Sequence, residues 1–220
     1  MAPIYAATFE AGNVTGTDGF STSGPTSPTI DTTSKIKGAN SARFNAASAV
    51  NIQANITGLS LSEAWVSFYM VWNSLVTASV RLLNCTDSAS RGDLRPISGG
   101  KIELRNGSTL IGTSATTFVA GTLYRIGFHE KQGSTASSTD GVLELYIAQG
   151  DADFGAPEVT SSTQVTTNNA ITQFSFGNTN STATAVDFWI DDIRIDNAQF
   201  ASPSIEWLHM IDPAFALKVQ

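Results

Sequence analysis

Short apolar or alternating runs recur along the chain, separated by clusters of Gly, Ser, Asn and Asp. In the run 122–131, Tyr124, Ile126 and Phe128 occupy every second position, which is the period of a half-buried strand. The run 64–72 is apolar on both faces, which is typical of a central strand. The pattern predicts about eleven strands. They are the runs 4–10, 41–45, 49–56, 64–72, 79–87, 101–107, 108–115, 122–131, 141–150, 171–179 and 186–197.

The segments between these runs are predicted to be turns and loops. Asn106-Gly107 separates two runs and is a strong signal for a two-residue hairpin. The Gly/Ser/Thr/Pro-rich segment 11–29 and the Ser/Gly-rich stretch around the Arg-Gly-Asp tripeptide at 91–93 are predicted to be loops. No helix longer than a turn or two is expected outside the C-terminal tail. Residues 1–200 are therefore predicted to form one all-β, antiparallel β-sandwich.

Six segments in a fixed order resemble a known fold family. The segments are "TFEAG" at 8–12, "GANSARFN" at 38–45, "AWVSFYMVW" at 64–72, "TLYRIGF" at 122–128, "GVLELYIAQG" at 141–150 and "DFWIDDIRIDN" at 187–197. Their order over residues 4–197 resembles the concanavalin A-like, laminin-G-like jelly roll of phage virion accessory proteins and carbohydrate-binding modules. The resemblance implies a jelly-roll fold. It says less about function, because this sandwich also carries lectins, lyases and glycosidases.

Composition and charge exclude several classes of protein. The net charge is −7 and the twelve basic residues are scattered, which argues against a nucleic-acid partner. No run approaches the ~20 apolar residues of a membrane span, and the N-terminus lacks the pattern of a signal peptide. Cys85 is the single cysteine, so an intrachain disulfide is impossible, and a small buried hydrophobe is the expected role.

Two adjacent carboxylates interrupt the last apolar run. Phe188 and Ile190 share one strand parity, whereas Ile193 and Ile195 share the other. A β-bulge between the two pairs would explain this change of face and would re-aim one carboxylate.

The resemblance implies a metal site at the same place. In many sugar-binding jelly rolls, a closing-strand aspartate and the glutamate after the first strand hold a structural calcium. By that resemblance, Glu10, Asp191 and Asp192 are the candidate calcium ligands. Calcium takes about 6–8 oxygens, so loop carbonyls and waters would supply the others. The alternative is that these carboxylates cap strand-end turns without metal.

One face of the middle strands has the composition of a sugar-binding cleft. The candidate carbohydrate-binding residues are Trp65, Tyr69, Arg125, His129 and Tyr146, with Arg43 and Glu144 beside them. Aromatic rings stack on pyranose faces, and polar groups fix the hydroxyls. The alternative is an ordinary solvated strand face with cross-strand pairs such as Arg–Glu.

No catalytic constellation is evident. A glycosidase requires two carboxylates about 5–10 Å apart, and the Glu-x-x-x-Glu or Glu-x-Asp-x-x-Glu strand of retaining relatives does not occur. A lyase requires a positioned Tyr and His. Tyr124, Arg125 and His129 share a strand, but no adjacent motif supports them. The chain is therefore predicted not to be an enzyme.

The C-terminal tail, 201–220, differs from the rest of the chain. Ser202-Pro203 ends the last strand, and apolar residues then crowd into a short span. The tail folds back on its own sandwich or docks on a partner, because exposed apolar patches mark contacts. The candidate docking residues are Trp207, Leu208, Met210, Ile211, Phe215 and Leu217.

These features favour a non-enzymatic virion accessory protein, such as a phage capsid decoration (cement) protein or a fibre component. A jelly roll that begins near Met1, without a secretion signal or disulfide, suits a protein made in the host cytoplasm and carried in the virion. Its expected partners are the capsid shell or other copies of itself, as a trimer, and glycans; neither nucleic acid nor a membrane is expected. The alternative is an extracellular carbohydrate-binding module of a secreted polysaccharide-active enzyme.

Overall fold

The computed structural model describes residues 3–15, 20–87, 89–180 and 184–200. Within these ranges the chain forms fifteen strands and no helix. The strands are β1 Tyr5–Ala7, β2 Ser21–Ser23, β3 Thr29–Asp31, β4 Ser41–Ala46, β5 Ile52–Leu61, β6 Glu63–Ser74, β7 Leu83–Thr86, β8 Ser90–Ile97, β9 Lys101–Asn106, β10 Thr109–Thr113, β11 Leu123–Lys131, β12 Gly141–Gln149, β13 Val159–Gln164, β14 Ile171–Asn178 and β15 Val186–Asp196.

The strands form two sheets that pack face to face. The larger sheet has the order β13-β12-β11-β6-β15-β4-β3, with β1 paired to the second half of β15. The smaller sheet has the order β10-β9-β8-β7-β14-β5-β2. The named strands pair antiparallel throughout. The predicted antiparallel β-sandwich is therefore confirmed. In the described part of the chain, no helix has the length and hydrophobicity that membrane crossing would require.

The core lies between the sheets and is rich in aromatic rings. Phe44 stacks on Phe188 with a 5.2 Å centroid distance, and Trp72 meets Phe188 edge-on at 4.8 Å. Phe68 of the larger sheet meets Phe176 of the smaller sheet at 5.5 Å. Burying such a side chain contributes about 1.5–3 kcal/mol, so the alternation seen in the sequence supplies the main stabilisation. Cys85 is fully buried in this core, as predicted.

Four strands were not predicted, namely β2, β3, β8 and β13. The predicted loop at 91–93 is wrong, because these residues lie within β8. The Asp93 carboxylate is completely buried, 2.6 Å from Arg95 Nε and 3.6 Å from Arg81 Nε. The neighbouring guanidinium groups let a charged sequence form an interior strand. The long loop predicted at 11–29 likewise contains β2 and reaches β3.

The predicted hairpin between β9 and β10 is confirmed, with its turn displaced by one residue. Asn106 pairs with Thr109, so Gly107 and Ser108 form the two-residue loop. Gly107 has φ +58°, a conformation that glycine adopts without strain.

The predicted bulge in β15 is also confirmed. Asp191 pairs with Tyr69 and Arg194 with Ser67, so two residues of β15 oppose one residue of β6. Asp192 lies in the bulge with φ +45°. At this point β15 exchanges its other neighbour, from β4 at Val186–Ile190 to β1 at 193–195. The bulge lets apolar residues on both sides of it face the core.

One inward position of β11 carries an acid instead of a hydrophobic side chain. Glu130 is fully buried, and its Oε2 accepts a hydrogen bond from the Gly92 N–H at 3.2 Å. Cys85, Asp87 and Gln132 surround the same carboxyl group. Burial raises the pKa of Glu130 to about 7, and the charge on Asp87 adds to this effect, although hydrogen bonds from its neighbours oppose it.

This environment predicts a pH-dependent effect of Glu130→Gln. Because the folded state binds the Glu130 proton more tightly than the unfolded state, the associated stabilisation is complete below pH 4.5 and is lost as the pH rises towards 7. The variant should match the wild type at acidic pH. At alkaline pH it should be more stable, by up to roughly 3 kcal/mol, the equivalent of a pKa rise from 4.5 to about 7.

Urea denaturation of both proteins at acidic and alkaline pH measures the difference. Glu103→Gln makes the same change at a partly exposed strand position, where Arg105 lies 2.8 Å away. An equal pH dependence in both variants, or a Glu130→Gln variant no more stable at alkaline pH, would contradict the assignment.

Candidate functional site

The five predicted sugar-binding residues lie on one face of the larger sheet, pointing away from the smaller sheet; we call this the outer face. His129 of β11 pairs with Trp65 of β6, and Arg125 pairs with Tyr69. Tyr146 of β12 pairs with Gly127 of β11, which lies between Arg125 and His129 on the same face. These positions alternate with core residues, because successive side chains of a strand point to opposite faces.

A histidine held between two carboxylates lies at one end of this face. His129 Nδ1 is 2.8 Å from Glu144 Oε2, and Nε2 is 2.9 Å from Glu63 Oε1. The imidazole stacks on Trp65 with a 3.6 Å centroid distance and a 10° interplanar angle. Tyr146 donates its hydroxyl to Glu144 at 2.6 Å. Although burial opposes the shift, hydrogen bonds from Tyr146 and His129 lower the pKa of Glu144.

A loop and a phenylalanine cover the middle of the outer face. We call residues 150–157, which connect β12 to β13, the covering loop. Phe154 of this loop packs on Phe200, at a 4.6 Å centroid distance, above Gly127. A Cβ at position 127 would come within 2.9 Å of both rings, so the glycine is needed for this contact. Phe200 also meets Trp65 at 5.0 Å and Tyr146 at 4.9 Å.

Asp151 fixes the covering loop to the outer face. Lys37 Nζ lies 2.7 Å from Asp151 Oδ2, and the Tyr69 hydroxyl donates to Asp151 Oδ1. The Lys37 ammonium also lies 4.4 Å from the centroid of the Tyr69 ring. Arg125 stacks 4.4 Å from the centroid of Phe154. Burial and the Asp151 carboxylate raise the pKa of Tyr69, so the phenol keeps its proton.

The covering loop and Phe200 leave the predicted sugar-binding residues largely buried. Tyr69 and Arg125 are 2% exposed, His129 is 5% exposed and Tyr146 is 9% exposed, whereas Trp65 is partly exposed. Sequence reasoning brought these five residues together but missed Lys37, Asp151, Phe154 and Phe200. The one sequence signal was an acidic, glycine-bounded segment with an aromatic residue, "GDADFG" at 150–155.

A second polar cluster occupies the opposite side of the outer face. Arg43 of β4 makes two 2.9 Å hydrogen bonds to the Asp187 carboxylate of β15. The guanidinium lies 5.1 Å from the centroid of Trp189, and the Trp189 indole donates to Asp31 at 2.8 Å. This is the cross-strand Arg–acid pairing of an ordinary strand face.

The candidate calcium ligands bind backbone amides of a nearby loop. Glu10 accepts hydrogen bonds from the N–H groups of Ala39 and Asn40, at 2.9–3.1 Å. Asp191 accepts from the Lys37 N–H at 2.9 Å and from the Asp192 N–H at 2.7 Å. Burial raises the pKa of Asp191 well above its usual range. These carboxylates therefore act as caps.

Asp192 accepts a hydrogen bond from Arg194 Nε at 2.8 Å. Among the described residues, no three His, Cys, Asp or Glu side chains come together in a way that could hold a metal ion. Calcium binding by Glu10, Asp191 and Asp192 stays a prediction. The tail docking residues, from Trp207 to Leu217, lie outside the described residues, and their role stays a prediction too.

No protein-family model and no curated protein matches the chain. Solved structures do resemble it. Cellulose-induced protein Cip1 is 14% identical with a TM-score of 0.62, covering 89% of this chain and 98% of its own. A marine PL-14 alginate lyase from Aplysia kurodai is 10% identical with a TM-score of 0.62, covering 90% and 100%.

A third similar structure is the botulinum neurotoxin type C studied for its interaction with two ganglioside molecules. It is 12% identical with a TM-score of 0.60, covering 91% of this chain and 49% of the toxin chain. This chain therefore spans about half the length of that structure. At such identities the likeness concerns the fold alone. The chain has the concanavalin A-like jelly roll of these structures, as the sequence predicted.

Proposed function

We propose that the outer face of the larger sheet binds a carbohydrate. The observation that carries this proposal is the state of Trp65. Its indole N–H is buried and has no hydrogen-bond partner among the residues that the structure describes. A buried donor without an acceptor is uncommon in a folded protein and requires an explanation. An oxygen of a bound sugar would supply the missing acceptor.

The surroundings of Trp65 have the chemistry of a sugar site. Trp65 and Tyr146 provide flat apolar surfaces, their ring centroids 6.4 Å apart. His129 and Glu144 provide hydrogen-bonding groups that neighbouring contacts hold in place. A few fixed polar groups among aromatic side chains are typical of small-molecule sites.

The likeness to solved structures supports the same proposal. One similar structure is an alginate lyase, and another is a botulinum neurotoxin that interacts with gangliosides; alginate is a polysaccharide, and a ganglioside carries a glycan. A fold does not determine a function by itself. The proposal therefore depends on the residues of the outer face, and the likeness adds that a sandwich of this shape has served glycan-related proteins.

Binding requires the covering loop and Phe200 to move away from the outer face. Backbone hydrogen bonds anchor the covering loop at its first residue, from the Gly150 N–H to Leu123 O at 2.9 Å, and just after its last, from the Glu158 N–H to Leu145 O at 2.8 Å. Between these ends, side chains of Asp151 and Phe154 make the contacts with the sheet. Such a loop can open locally while the sandwich stays folded.

We propose binding without catalysis. The two nitrogens of His129 face Glu63 and Glu144, and the Tyr146 hydroxyl donates to Glu144. The groups that could transfer a proton to a sugar thus engage one another. Burial and the Glu144 hydrogen bond also raise the pKa of Tyr146, which disfavours the phenolate that a base would need. Release of unsaturated sugar ends from polyuronates by the wild-type chain would overturn this part.

A finer proposal concerns where the protein acts. We propose that the domain belongs to a phage virion, as a capsid decoration or fibre component that assembles through its C-terminal tail. The support is the sequence of 201–220, in which apolar residues crowd directly after the last strand. Flanking genes for capsid or tail proteins would support a virion location, and flanking genes for secreted polysaccharide-active enzymes would favour a binding module instead.

The carbohydrate proposal predicts the effect of Trp65→Ala. The variant loses both the stacking surface and the indole donor, so its affinity for a glycan selected on an array should fall at least about tenfold, which corresponds to roughly 1.4 kcal/mol. Isothermal titration measures the affinity. Trp189→Phe is the matched control, because Trp189 lies on the same face but in the separate Arg43–Asp187 cluster. No binding of any glycan, or equal losses in both variants, would contradict the proposal.

The virion proposal predicts the effect of deleting residues 203–220. The full chain should assemble into an oligomer, and the shortened chain, about 2 kDa lighter than the 23.2 kDa full chain, should elute as a monomer of about 21 kDa. Size-exclusion chromatography with light scattering gives the masses, and the melting temperature shows whether the sandwich persists. A full chain that is monomeric, or assembly that survives the deletion, would count against tail-mediated assembly.

A further inference from the structure

The chain places a carboxylate of its own in a cationic site on the outer face. The Asp151 carboxylate binds the Lys37 ammonium at 2.7 Å and accepts the Tyr69 hydroxyl on its other oxygen. The Arg125 guanidinium lies 5.8 Å from the centroid of the same Tyr69 ring. The site thus holds one anion between a lysine, a phenol and an arginine.

We propose that the carbohydrate bound here is acidic, with a sugar carboxylate that takes the place of Asp151. This inference rests on the proposed carbohydrate-binding function and names the class of ligand. The covering loop presents a carboxylate and, three residues later, the flat ring of Phe154. An acidic polysaccharide such as a polyuronate presents the same two features, a carboxylate and the apolar face of a pyranose ring.

The charges of the site favour an acidic ligand over a neutral one. Tyr69 and Arg125 are each 2% exposed, and the Lys37 side chain is 11% exposed. When the loop lifts, Asp151 and Asp153 leave, and both act electrostatically on Arg125 in the covered state. A neutral sugar would leave partly buried cations with less compensation, which is unfavourable. A uronate restores the missing negative charge.

Local geometry, and not overall attraction, would therefore govern recognition. The whole chain carries a net charge of −7, which repels an anionic polymer at long range. The basic groups near the site are Lys37, Arg125 and Arg194, and the Arg194 Nε already binds Asp192 at 2.8 Å. Lys37 is thus the group whose charge a bound carboxylate would meet most directly.

The test is titration of a uronic-acid oligomer and of the same oligomer with its carboxyl groups reduced to alcohols. Asp151→Asn weakens the competing loop, so it should bind the uronate about tenfold more tightly than the wild type does. Relative to the reduced oligomer, Lys37→Gln should bind the uronate about tenfold more weakly than the wild type does. Neither change should weaken binding of the reduced oligomer. Lys35→Gln, an exposed lysine two residues away, is the matched control and should behave like the wild type.

Tyr69→Phe provides a second variant that removes one hydroxyl and leaves the ring. It should lower the preference for uronate over the reduced oligomer, and it provides this readout even if Lys37→Gln alters the fold. Equal binding of uronate and reduced oligomers would overturn the acidic-ligand inference while leaving the carbohydrate proposal intact. An equal preference for uronate over the reduced oligomer in Lys37→Gln and Lys35→Gln would overturn it as well. Absence of binding to either oligomer, and to every glycan on the array, even with Asp151→Asn, would overturn both.

Discussion

The hydrogen bond from the Lys37 N–H to the Asp191 carboxylate connects the loop between β3 and β4 to the outer face of the larger sheet. Asp191 precedes the bulge of β15, where the strand exchanges β4 for β1 and no regular partner continues the ladder. The carboxylate accepts the amide of the neighbouring loop at this point. The position of Lys37 follows from that bond, and the Lys37 ammonium in turn holds Asp151 and the covering loop. A backbone irregularity in the sheet thereby determines what covers the candidate site.

Two small residues in the middle of the outer face leave room for the covering loop and Phe200. Gly127 and Ser67 pair across β11 and β6 in the middle of the outer face. The space above Gly127 holds the rings of Phe154 and Phe200, and Phe200 contacts both Trp65 and Tyr146. The same space would admit a flat sugar ring when Phe154 and Phe200 leave it. Aromatic side chains of the chain itself thus occupy the volume that the proposed ligand needs, which explains why the predicted site residues are buried and not solvated.

Periodicity predicted the parts of this structure that depend on neighbouring residues in one strand. Alternation placed Arg125 and His129 on one face and Ile126 and Phe128 on the other, because side chains of a strand point to opposite faces. The change of parity around Asp191 predicted the bulge for the same reason. The predictions that failed concern contacts between segments far apart in sequence. Asp93 was predicted to lie in a polar loop because its contacts with Arg81 and Arg95, which stabilise it inside a strand, are not apparent from the sequence pattern.

The cover is the clearest example of a feature that periodicity cannot supply. Asp151 lies 82 residues from Tyr69 and 114 residues from Lys37 in sequence, so no local pattern relates them. Glu130 occupies a core position by alternation, yet nothing near it in sequence indicates how a buried acid would be accommodated. Charge pairs between distant strands and loops can be identified only after the fold is known. They account for the strand at 91–93, which periodicity did not predict, and for the chemistry of the candidate site.

A covered site has consequences for selectivity. If the open state is a small fraction of the molecules, the apparent dissociation constant equals the intrinsic constant divided by that fraction. Each contact that holds the covering loop therefore weakens every ligand equally, whatever its charge. Ligands that replace both the Asp151 carboxylate and the Phe154 ring recover the interactions lost on opening, whereas ligands that replace one of them do not. The covering loop thus competes with any ligand for the outer face, and a ligand must offer both a carboxylate and a flat ring to replace the contacts of Asp151 and Phe154.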